Sequence, residues 1–111
     1  MASLLAYDDL VYLTPGRKTI LDFDFVDEIP VGDTIKAVGN GTSVTARDIS
    51  GTPALIVSDV QIVGSTKLQA TINDIIEGED YMLEYIIRTE ISGEEFDKFR
   101  VVRARTRGLV I

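Results

Sequence analysis

The sequence predicts an all-β antiparallel sandwich of about seven strands. Apolar residues recur at period two and rarely at period 3.6, and the alternating runs are cut by glycine, proline, serine or aspartate at short, regular intervals. With 111 residues, 45% of them hydrophobic, the chain has material for one domain with a modest core.

The elements follow in order. Residues 1–16 read as an extended N-terminal arm, apolar at Leu4, Leu5, Tyr7, Leu10, Val11, Tyr12 and Leu13 and closed by Pro15-Gly16. In the next run Leu21, Phe23 and Phe25 alternate with Asp22 and Asp24, as in a strand with one face in a core and one in water. Pro30 and Gly32 then force a turn. Short strands are expected at Thr34 to Val38, Ser43 to Arg47, Ala54 to Val63 and Lys67 to Ile72, with Asn40-Gly41 suited to a hairpin turn. From Tyr81 onward, Tyr81, Leu83, Tyr85 and Ile87 share one face, while Met82, Glu84, Ile86 and Arg88 share the other, wetter one. Ser92-Gly93 turns the chain, and Phe96 to Arg105 returns as the last strand. The sandwich should therefore span residues 17–107, followed by a short apolar tail at 108–111.

The corner before the long strand narrows the fold further. Tyr81 stands just after a glycine-containing turn, where immunoglobulin-like sandwiches place a tyrosine whose hydroxyl bonds back to the backbone upstream. An immunoglobulin-like β-sandwich is the expectation, with Tyr81 structural and Leu21, Phe23, Tyr81, Leu83, Tyr85 and Ile87 buried.

Two motifs carry a resemblance. Gly32, Asp33, Thr34 and Ile35 in the first half, and Gly78, Tyr81, Leu83, Thr89 and Gly93 in the second, resemble the small Ig-like proteins among the virion structural genes of tailed bacteriophages and prophages. The tryptophan-bearing strand of that pattern has no counterpart, with Val38 near its place, and the first 15 residues align with nothing in it. The resemblance implies a non-enzymatic virion component: a capsid decoration protein, or a neck or tail part. A bacterial adhesion or carbohydrate-binding module is the alternative, and would need a row of exposed aromatics.

Composition limits the chemistry. The chain contains neither histidine nor cysteine, so His-dependent nucleophilic catalysis, disulfides, and thiolate or imidazole metal sites are excluded. Asp22, Asp24, Asp27 and Glu28 could gather calcium but fit no EF-hand spacing, and read instead as the wet face of a strand. No catalytic residue, cofactor or metal is expected. The formal charge of -7 argues against nucleic acid as a partner, and no apolar run is long enough for a membrane helix.

Partners should therefore be proteins: phage capsid or other virion proteins, together with further copies of the chain, a trimer being the expectation. The contact residues expected are Leu4, Leu5, Tyr7, Leu10 and Tyr12 in the arm, and Arg103, Arg105 and Arg107 in a basic run that begins at Lys98. That run reads either as the solvated edge of the last strand or as a contact for an acidic surface. On this reading, removing residues 2–13 leaves a folded sandwich.

Overall fold

In the computed structural model the described residues are 7–106. Seven strands form: β1 (Asp9–Leu13), β2 (Thr19–Asp24), β3 (Ser43–Asp48), β4 (Val57–Val63), β5 (Lys67–Ile72), β6 (Asp80–Arg88) and β7 (Glu95–Ala104). They make a four-stranded sheet, β1-β7-β6-β3, facing a three-stranded sheet, β2-β5-β4. Every pairing is antiparallel except β1 with β7, which is parallel. With β2 to β7 taken as strands B to G, this order gives C-F-G facing B-E-D, the two sheets of an immunoglobulin sandwich, with β1 added beside G.

Packing follows the alternation. Tyr81, Leu83, Tyr85 and Ile87 are buried between the sheets, with Leu68, Ala70 and Ile72 of β5 opposite them. Phe25, just past the end of β2, is fully buried, whereas Leu21 and Phe23 are only partly buried because β2 is an edge strand. Tyr85 links the sheets directly, its hydroxyl donating to the Leu21 carbonyl at 3.0 Å.

The tyrosine corner is present. The Tyr81 hydroxyl accepts the Ile76 N–H at 3.0 Å across the turn that Gly78 makes at φ 87°, a conformation that costs other residues strain. Replacing Tyr81 by phenylalanine is expected to lower the unfolding free energy by about 0.5–1.5 kcal/mol, the usual net worth of one hydrogen bond. Urea titration would measure it, and an unchanged midpoint would mean the hydroxyl does not hold the corner.

Three expectations need correction. Residues 9–13 are not an arm: β1 pairs with β7 from Asp9 to Leu13, and Val11 and Leu13 pack on the core. Deleting residues 2–13 therefore removes a strand of the sandwich. The segment Thr34 to Val38 is not a strand, since Ile35 and Val38 make only isolated bridges, to Thr89 and Thr42. Its backbone is used elsewhere, with Ile35 N–H donating to Ser65 and Lys36 N–H to Arg88. Finally, β7 is not an edge, because β1 and β6 flank it on both sides.

Candidate functional site

The first motif and the Thr89–Gly93 end of the second meet at one end of the sandwich. Asp33 is buried, and its carboxylate accepts N–H groups from Thr34 and Ile91 at 2.8 Å each and from Ser92 at 3.0 Å. The Glu90 N–H donates to the Thr34 carbonyl, and Thr89 closes the same hairpin through Ser92 Oγ and the Glu94 N–H. The Gly-Asp-Thr-Ile stretch is thus a clamp joining the β2–β3 connection to the β6–β7 hairpin. Burial alone would push the Asp33 carboxyl up, but the three backbone donors outweigh it and hold the group well below the usual carboxylate range.

That depression fixes a sign. The folded-state value lies below the unfolded one, so the stabilisation is complete above about pH 4 and is lost as pH falls through the lowered folded-state value. An Asp33→Asn variant should melt below the wild type at pH 7, with the gap narrowing as the pH is taken down from 4. Melting curves across that range test it, and a gap independent of pH would rule out the charge as the cause.

Most of the basic run is consumed internally. Lys98 pairs with Glu28 at 3.1 Å, Arg100 with Asp9 at 2.8 Å, and Arg105 with Asp80 at 3.1 Å, while Arg103 lies 3.6 Å from the same Asp80. The Tyr12 hydroxyl and Asp80 raise the Arg103 pKa further by favouring the charged form. Asp80, at the start of β6, is the anchor for two of the expected contact residues.

The expected apolar contacts fare differently. Register places Leu10 beside Val101 and Tyr12 beside Arg103, both pairs on the outer face of the four-stranded sheet. Continuing across the sheet, Val101 adjoins Met82, and Phe99 adjoins Glu84, with Ile86 one row on. Leu10, Met82, Ile86, Phe99 and Val101 lie outside the core cluster and form a second apolar layer on the solvent side. Val101 is 1% exposed even there. Tyr12 is exposed at the margin of this face, and Tyr7, just ahead of β1, is also exposed. Leu4, Leu5 and Arg107 lie outside the described residues.

Sequence reading assigned Leu10 and Tyr12 to contact but missed Met82, Ile86, Phe99 and Val101. The signal was available in β6 and β7, whose wetter faces carry more apolar residues than solvation requires.

Other chemistry finds little support. Among the described residues no group of three or more acids could hold a metal ion. Asp22, Asp24 and Asp27 are exposed, and Glu28 is engaged by Lys98. Millimolar calcium is expected to leave the melting temperature unchanged, because a site present only in the folded state stabilises it by mass action. A rise of several degrees would return the Asp22 to Glu28 segment to consideration. A shallow depression of about 240 Å³ lies at the opposite end from the clamp, lined by Pro53, Leu55, Ile56, Ile76 and Tyr81 together with Asp48, Asp74 and Glu79. No nucleophile–base pair is present there.

No protein-family model matches the sequence, and no curated protein sequence matches it. Among solved structures the chain is similar to titin M4 in its trigonal crystal form, with a TM-score of 0.49 and 10% identity over 89% of this chain and 90% of that one. The immunoglobulin-like fold itself is established by strand order and the tyrosine corner.

Proposed function

We propose that the protein is a non-enzymatic structural component of a tailed-phage virion, most concretely a capsid decoration protein that acts through protein–protein contacts. The observation that carries the reading is the second apolar layer on the outer face of the four-stranded sheet, Leu10, Met82, Ile86, Phe99 and Val101, bordered by Arg47, Glu84 and Asp97. Such a surface suits contact with another protein. Support from the sequence comes from the two motifs shared with small virion Ig-like proteins. The absence of histidine and cysteine removes the common catalytic devices.

The test is direct. Purified protein should co-sediment with phage shells lacking it, and mass spectrometry should find the polypeptide in purified virions in many copies. Virions that contain none of it would overturn the proposal.

A further inference from the structure

We propose that the outer face of the β1-β7-β6-β3 sheet binds a second copy of this chain, the two sheets stacked with their strands reversed about a two-fold axis. The inference names an occupant for the contact face described above and so rests on the reading of that face as a protein contact.

The charge pattern selects the occupant. Pair register arranges the face in rows: Tyr12, Arg103 and Asp80; then Leu10, Val101, Met82 and Arg47; then Phe99, Glu84 and Thr45; then Asp97, Ile86 and Ser43; then Glu95 and Arg88. The rows holding Leu10, Val101, Met82, Phe99 and Ile86 form an apolar centre. Arg47 lies toward one end of it, where Arg103 is taken by Asp80, and Glu84 and Asp97 lie toward the other, where Glu95 is taken by Arg88. Glu84 is crowded there: burial first, and then Asp97 and Glu95, push its carboxyl up, with only Arg47 opposing. Arg88 takes Glu95, whereas Glu84 and Asp97 make no ion pair within 4 Å among the described residues, and neither does Arg47.

A partner face must therefore bring positive charge to Glu84 and Asp97 and negative charge to Arg47, around a matching apolar centre. This same face, turned end for end, does both. With the axis between the Val101 and Phe99 rows, the row of Leu10 and Met82 lies over the second copy's Phe99 row, and Arg47 beside its Glu84. Stacking the strands in the same direction instead puts acid ends together and is disfavoured by repulsion. The strands of this sheet, of 5, 10, 9 and 6 residues at about 3.3 Å each and about 4.8 Å apart, span roughly 475 Å² before side-chain relief, which fits a weak, reversible dimer.

Sedimentation equilibrium of the full chain, with charge-reversed variants, tests the idea. The wild type should dimerise. Arg47→Glu alone and Glu84→Arg alone should each weaken dimerisation at least about tenfold, with unchanged circular dichroism. An equimolar mixture of these two variants should associate again, because each supplies the charge the other lacks; changes within one chain cannot produce that recovery. A wild type that stays monomeric, one that forms trimers, or a mixture that fails to recover would each overturn the two-fold arrangement. The outcome is separable from the proposed function. A monomer found in virions sinks only the stacking, and a dimer absent from virions sinks only the virion role.

Discussion

Replacing Leu83 by alanine is expected to lower the unfolding free energy by about 2–5 kcal/mol, read as a drop in the urea midpoint at constant m-value. Leu83 is 0% exposed and sits mid-strand in β6, between Ala46 of β3 and Arg100 of β7. Its side chain points between the sheets, into the cluster that includes Leu68 and Val102. The upper half of the range is favoured by the site's rigidity. Neighbouring strands pair on both sides of β6, so the backbone cannot close in on the void, and the loss includes the cavity as well as the transferred methylenes. Met82, the next residue, supplies the control. It faces outward, and Met82→Ala should cost well under half as much. A larger loss at Met82 than at Leu83 would mean that the two faces of β6 are assigned the wrong way round.

That assignment was legible in the sequence because β6 alternates cleanly over nine residues. The hairpin and the tyrosine corner were legible for a related reason, since their signals lie within a few residues of one another. β1 was not. Asp9 to Leu13 reads as an apolar run, and among the described strands its partner is β7, joined in parallel; such pairing has no local turn to announce it. Thr34 to Val38 misled in the opposite way. Its apolar residues Ile35 and Ala37 keep strand spacing, but the Asp33 clamp directs the backbone to cross between sheets, with the Ile35 N–H going to Ser65 and the Lys36 N–H to Arg88. The expected strand number was right, but one strand was exchanged for another.

The charged contacts were hidden for the same reason as β1. Arg100 and Asp9 are 91 residues apart, and Asp33 and Ser92 are 59 apart. Only knowledge of register brings either pair together. The alternation of Arg103 and Arg105 was real, yet its reading as a solvated edge assumed that β7 was the last strand in space as well as in sequence. Once β1 covers that side, both arginines turn to Asp80. The apolar outer face was legible in Met82, Ile86, Phe99 and Val101, whose spacing puts them on one face of β6 and β7.

Replacing Asp9 by alanine is expected to be the second severe change, at about 2–3 kcal/mol. Arg100 carries its charge between the sheets with a side chain only 9% exposed, while Asp9 is 39% exposed. Its Nε donates to Asp9 Oδ2 at 2.8 Å, one Nη donates to the Asp22 carbonyl at 3.0 Å, and the guanidinium lies 4.1 Å from the Phe23 ring centroid. One cation thus ties β7 to β1 and, across the gap, to β2. Losing Asp9 leaves that cation buried with no carboxylate, and the Asp22 carbonyl and the Phe23 and Tyr85 side chains offset its desolvation less well. Breaking a fully buried pair costs about 3–5 kcal/mol, and water reaching the exposed side of Asp9 trims the figure. The same logic predicts a rescue. Arg100→Met removes the stranded charge and fills its volume with an apolar chain, so the Asp9→Ala, Arg100→Met double variant should be more stable than Asp9→Ala alone. Urea titration of the four proteins gives the coupling directly. If the double variant is no better than Asp9→Ala, the loss comes from β1 packing and not from the unpaired guanidinium, and Val11 and Leu13 become the residues that hold the strand in place.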